Sequence, residues 1–78
     1  MATMLPMRSY TIVIVPEEEG GYSVEVPALP GCYSRGDSVA DAIEHAREAI
    51  TGHISVLQDE GLPVPTESAT PELATISV

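Results

Sequence analysis

Apolar and polar positions change period twice along this chain, and each change marks an element. Ser9-Tyr10-Thr11-Ile12-Val13-Ile14-Val15 is rich in β-branched residues and apolar on both faces: Tyr10, Ile12 and Ile14 on one, Val13 and Val15 on the other. That pattern predicts a strand covered on both sides. Pro16 has no N–H to give a ladder and is expected to end it. Glu17-Glu18-Glu19-Gly20-Gly21 reads as a polar hairpin loop, its paired glycines supplying positive φ. Tyr22-Ser23-Val24-Glu25-Val26 alternates cleanly, with Tyr22, Val24 and Val26 on one face, and predicts a second strand. Pro27-Ala28-Leu29-Pro30 joins it to a short third strand from Gly31 to Arg35.

The period then lengthens to three and four. Val39, Ala42, Ile43, Ala46, Ala49, Ile50, Ile54 and Leu57 share one stripe, while Asp41, Glu44, Arg47 and Glu48 fall mostly on other sectors. Within the stripe, Ile43, Ala46 and Ile50 are expected to face the sheet. Ser38 or Asp37 is expected to cap this helix, with Asp41 in the capping-box position three residues after Ser38. Gly61 and Pro63 stop it. A helix from Ser38 to Glu60 is roughly 34 Å long at 1.5 Å per residue. Leu62-Pro63-Val64-Pro65 reads as extended, and Glu72 to Val78 alternates as a last strand. The order β-β-β-α-β contains one crossover, and crossovers are right-handed. The expected fold is α+β: a mixed four-stranded sheet with one long helix on one face. Residues 1–7 are expected to form a flexible N-terminal extension and residues 8–78 a single domain.

Composition narrows the function classes. The chain has 78 residues, one cysteine, two histidines, and no run long and apolar enough to span a membrane. Cys32 with His45 and His53 does not make a zinc site, and no cofactor is expected. A domain this small without a disulfide or metal staple gains stability by association, so self-association to a dimer or tetramer is expected. A lone cysteine and the lack of a secretory leader at Met1–Met7 suit the cytoplasm. Twelve acidic residues face three arginines and no lysine, a formal net charge of −9. Such a chain lacks the cations that displace counterions from phosphate, so direct nucleic-acid binding is not expected. Acidity either keeps the protein soluble or steers a basic partner to it.

No catalytic constellation stands out. Two-metal nuclease chemistry needs several converging carboxylates. The strands carry only Glu25, and Glu17, Glu18 and Glu19 sit in a loop, so the chain is not expected to be an enzyme. Cys32 reads as a small packing residue beside its turn rather than a nucleophile. His53 is expected to border the core face and His45 to be exposed. Pro27, Pro30 and Gly31 read as turn geometry.

Three pieces in order carry a family resemblance: Pro27-Ala28-Leu29-Pro30-Gly31-Cys32, Gly36-Asp37-Ser38, and Glu44-His45-Ala46-Arg47-Glu48-Ala49-Ile50. From Tyr10 to Pro65 the chain resembles the HicB family, the antitoxin half of bacterial HicA/HicB toxin–antitoxin pairs. The resemblance implies a reduced, partial ribonuclease-H-like fold, catalytically degenerate, with the last strand beside and parallel to the first. It implies a HicA-like toxin as partner, a small basic protein that cleaves mRNA. The antitoxin would neutralise it by protein–protein contact. Candidate contacts are Glu17, Glu18, Glu19, Asp41, Glu44 and Glu48. Many HicB proteins continue into a DNA-binding domain, which this sequence does not show, so autoregulation by direct DNA binding is not expected. The competing reading is a stand-alone, homo-oligomeric HicB-like structural or regulatory protein with no toxin partner.

Overall fold

The structure, a computed structural model, describes residues 8–67 and 74–78. The expected N-terminal extension at 1–7 lies outside the described residues, as do residues 72 and 73 of the expected last strand. Three strands and a helix follow in order: β1 Val13–Pro16, β2 Tyr22–Glu25, β3 Tyr33–Gly36 and α1 Val39–Asp59. The strands form an antiparallel meander in the order β1-β2-β3. Val13 lies opposite Glu25 and Pro16 opposite Tyr22, while Tyr22 lies opposite Gly36 and Glu25 opposite Tyr33.

The hairpin follows its sequence chemistry. Gly20 and Gly21 have φ of 102° and 80°, and the Glu17 N–H donates to the Gly21 carbonyl at 3.0 Å. Pro16 is the last residue of β1, as expected, and that bond explains how it still pairs with Tyr22. Backbone groups alternate sides along an antiparallel strand. Glu17 points to β2, so Pro16 points to the open edge, where a missing N–H leaves no ladder bond unmade.

The helix is capped as its sequence proposes. The Asp41 N–H donates to Ser38 Oγ at 3.0 Å, and Asp41 Oδ2 in turn accepts from the Asp37 N–H at 3.0 Å. The return bond reaches one residue before the cap. At the other end the Glu60 N–H donates to the Val56 carbonyl, and Gly61 turns away at φ 69°.

The core has two lobes on the helix side of the sheet. Val24, Ala42 and Ala46 form one, with Ile12, Ile14 and Tyr22 packed on it. Val26, Leu29 and Cys32 form the other, against Tyr10, Ala49 and Ile50. The second lobe is built by the turn: Leu29 N–H donates to the Val26 carbonyl and Cys32 N–H to the Leu29 carbonyl, both at 3.0 Å. Gly31 at φ 87° lets the chain double back. Leu29 is thereby driven to complete burial. The third strand starts later than expected, because Gly31 and Cys32 belong to this turn.

Two expectations are corrected. The stripe does not face the sheet as a whole, because the helix packs mainly on β3 and less on β2. Gly36 allows this: a Cβ there would run into the Ala42 backbone, 2.6 Å from its Cα. With the helix displaced toward β3, Ile43 does not pack on the sheet and is 39% exposed, and Val39 is 45% exposed. The sheet of the described residues is three-stranded and antiparallel, and the expected fourth strand at 72–78 lies partly outside the described residues. Ala74–Val78 forms no strand, because it has no partner strand to pair with, and Ile76 is 82% exposed. The far face of the sheet, with Val15 and Tyr33, is open to solvent, so β1 is not covered on both sides.

Candidate functional site

Strand register gathers the acidic loop and the helix start at one end of the molecule. Pro16, Tyr22 and Gly36 lie side by side across the three strands. The Glu17–Gly21 hairpin therefore neighbours Asp37 and the first turn of α1. A Cβ at Gly21 would stand 3.0 Å from the Gly36 carbonyl, which measures how closely these turns approach. Glu17, Glu18, Glu19 and Asp37 are all exposed there. These residues share one end of the molecule although Asp37 lies 18 positions after Glu19 in sequence.

The six candidate contacts are not equivalent. Glu17, Glu18 and Glu19 crown the hairpin. Asp41 is half-buried and its carboxylate is engaged twice, by the Asp37 N–H and by His45 Nε2 at 3.6 Å. Glu44 lies 3.7 Å from Arg47 on the exposed helix surface, a pair of little energetic weight in water. Glu48 is exposed one turn further along. The hairpin and helix start form one acidic end; Glu44 and Glu48 extend it along the helix without joining it.

His45 does more than its surface position suggests. Its Nδ1 meets the Arg35 carbonyl at 2.7 Å and so ties the helix to β3. The pKa of His45 is raised above 6.5, first by that backbone bond and then by Asp41, with Glu48 and Asp37 adding to it. The i,i+4 spacing of Asp41 and His45 was the sequence signal for this contact. Cys32 is buried, and burial pushes its thiol pKa up. A thiol held protonated in an apolar cluster packs and does not attack. Among the described residues, no group of three or more His, Cys, Asp or Glu could hold a metal ion.

A second feature, missed from sequence, is a groove of about 810 Å³ between the segment leading into β1, Arg8 to Ile12, and the helix. Displacement of the helix toward β3 opens it. Tyr10, Ile12, Ile50 and Ile54 line it with Ile43, and Arg8 and Arg47 stand among its polar residues. One end is closed by the chain after the helix. Tyr10 Oη donates to the Pro65 carbonyl at 2.6 Å. The Thr11 N–H donates to Glu67 Oε1 at 2.6 Å, and the Thr11 hydroxyl donates to Glu67 Oε2. These bonds hold the Glu67 carboxyl below its usual range.

Comparison with known proteins bears on both surfaces. Residues 10–76 match the family model described as the HicB-like antitoxin of bacterial toxin–antitoxin systems. The chain belongs to the HicB-like antitoxin family. This HicB-like chain is 38% identical over 60 residues to a UPF0150 protein of Thermoplasma acidophilum, covering 77% of itself and 87% of that protein. It is 34% identical to Antitoxin HicB of Escherichia coli K12, covering 73% of itself but 43% of that protein. Its fold matches a chain of a HicA3 and HicB3 toxin–antitoxin complex at TM-score 0.67 and 35% identity, covering 80% and 71% of the two chains. It also matches the Burkholderia pseudomallei antitoxin HicB at TM-score 0.72 and 36% identity, covering 82% of itself and 48% of that chain. The α+β arrangement of a three-stranded antiparallel sheet and one helix is thus the HicB arrangement. No helix among the described residues is long and apolar enough to cross a membrane.

Proposed function

We propose that this HicB-like chain neutralises a small, basic HicA-type mRNA-cleaving toxin by protein–protein contact. Its likeness in fold and sequence to a chain of the HicA3–HicB3 complex carries this reading. The acidic end supplies the physical means. Glu17, Glu18, Glu19 and Asp37 present like charge to one direction, and a basic RNA-binding face is their electrostatic complement. Such complementarity speeds encounter and sets partner choice at ordinary salt. Glu44 and Glu48 extend the contact along the helix. Asp41 adds its charge to the field, while its oxygens stay committed to the helix start.

In this proposal the chain works by binding alone, in the cytoplasm, with no cofactor and no catalysis of its own, and touches no nucleic acid directly. The partial ribonuclease-H-like fold serves as a scaffold, its fourth strand completed from the C-terminal segment. The high coverage of a short UPF0150 relative favours a second reading, a homo-oligomeric HicB-like regulator without a toxin.

The two readings separate in one experiment. The chain is co-expressed with a small basic HicA-type protein, and growth, mRNA cleavage and co-purification are followed. Wild type is expected to restore growth and co-purify with the toxin. Combined Glu17→Lys, Glu18→Lys and Glu19→Lys is expected to slow association at low salt by about tenfold or more. Toxin activity undiminished by wild-type chain would overturn the neutralising role and leave the second reading.

A further inference from the structure

His45 stands at the junction of β3 and the helix with an oxygen acceptor in front of each ring nitrogen. We propose that it is a proton-operated clasp at the foot of the acidic end: protonated, it ties Asp41 to β3 and loosens the hold on a basic partner; neutral, it tightens that hold. The partner half of this inference rests on the neutralising role proposed above.

The geometry selects the protonation state. Nδ1 lies 2.7 Å from the Arg35 carbonyl. A carbonyl only accepts, so Nδ1 carries the hydrogen. In a neutral imidazole the other nitrogen, Nε2, is then a bare acceptor. Nε2 faces Asp41 Oδ1, a second acceptor, at 3.6 Å. Only the imidazolium offers a donor to both oxygens. The neutral ring keeps its bond to β3 but sets a lone pair against a carboxylate. The same carboxylate is held from the other side, where Oδ2 accepts from the Asp37 N–H at 3.0 Å. Arg35, His45, Asp41 and Asp37 thus form one chain of contacts across the junction where Gly36 brings the two backbones together.

The charge around the ring is one-sided. The Arg35 carbonyl first, then Asp41, Glu48 and Asp37, hold its pKa above 6.5. The strands under the helix add little to balance them. Glu25 of β2 lies opposite Tyr33, and Arg35 opposite Ser23, all on the face turned away from Val24 and the helix. Tyr22 packs on the core beside Val24. Beyond Asp37 stands the hairpin with Glu17, Glu18 and Glu19.

Coupling to a basic partner follows from this placement. A cation arriving at Asp37 and Asp41 competes with His45 for the same carboxylates. A proton on His45 lowers the negative charge offered there, and a bound cation in turn disfavours the proton. The two effects are one coupling free energy and must be equal. Histidine is the side chain whose charge changes between pH 5 and 8, and the other one, His53, lies eight residues further along the helix. The chain therefore holds a basic partner best above the His45 midpoint, and acidification through that midpoint loosens it.

The test uses the full-length chain and an acetylated ten-residue lysine peptide, a partner whose own charge is constant between pH 5.5 and 8.5. NMR follows the His45 titration with and without saturating peptide at low salt. The midpoint is expected to fall by about 0.3 or more on binding, equivalent to about a twofold or greater weakening of affinity across the titration. Calorimetry at pH 5.5 and 8.5 should find that weakening in wild type and in His53→Gln but not in His45→Gln. A midpoint unmoved or raised by the peptide, a weakening that persists in His45→Gln, or a peptide that does not bind would each overturn the clasp and leave the neutralising role standing. A HicA-type toxin that fails to bind, while the peptide lowers the midpoint, would overturn that role and leave the clasp.

Discussion

Single side chains in this protein matter in proportion to how the turn and the helix enclose them. Leu29 lies in a loop by sequence, yet it is completely buried, whereas Ile50 on the helix stripe is half-buried. Leu29→Ala should therefore destabilise by about 3 kcal/mol and Ile50→Ala by about 1–2 kcal/mol. Urea denaturation of the two variants checks the order, and an equal or reversed cost would contradict the two-lobed core. His45 adds a pH dependence. Its folded pKa lies above the unfolded value of 6.5, because the Arg35 carbonyl and Asp41 favour the imidazolium. The stabilisation is complete below pH 6.5 and is lost as pH rises through the folded value. An NMR titration should find His45 above 6.5 and lowered in Asp41→Asn; a midpoint at or below 6.5 in wild type would refute the contact.

Between elements, close backbone approach and a single carboxylate do the joining. Gly36 lets β3 meet the helix at Ala42, where neither backbone can yield to a Cβ. Gly36→Ala should cost about 3 kcal/mol, the upper range for overpacking, and shift the helix from β3. An unchanged melting temperature would show that the helix sits elsewhere. Glu67 fastens the post-helix segment to Thr11. Its folded pKa is depressed below 4.5, so the fastening is in place above pH 4.5 and is lost as pH falls through the folded value. Relative to its intrinsic exchange rate, the Thr11 amide should be protected at pH 6 and lose that protection in acid. Glu67→Gln should speed the exchange at pH 6; equal rates in wild type and variant would remove Glu67 from the junction.

At the scale of the whole molecule, charge distribution rather than net charge directs association. Of the three arginines, Arg8 and Arg47 stand at one groove and Arg35 lies on β3, while the carboxylates of the hairpin and helix start share one end. Six to ten phosphates of a typical nucleic-acid site find no matching row of cations. The purified chain should give no salt-sensitive shift of DNA or RNA at 50 mM salt. A shift that fades between 50 and 200 mM salt would contradict this.

Local chemistry was readable from the residues themselves. The 2-residue and 3.6-residue periods marked strands and helix, the Gly20-Gly21 pair marked the hairpin, and Ser38 with Asp41 marked the helix start, because each depends on neighbours a few positions away. The turn motif from Pro27 to Cys32 likewise pointed to the family that residues 10–76 match. Quantities set by placement were not readable. The amphipathic stripe told which helix face is apolar, not that the helix would shift toward β3, strand Ile43 and open a groove beside β1. Gly36 controlled that shift; it stood in the Gly36-Asp37-Ser38 helix entry, but nothing local showed that a Cβ there would meet the Ala42 backbone. The alternation of residues 72–78 likewise suggested a strand, but a strand exists only where an edge receives it, and alternation does not say which edge that is. Local sequence determined the elements; the long-range fit of backbone against backbone decided which apolar surface stayed open.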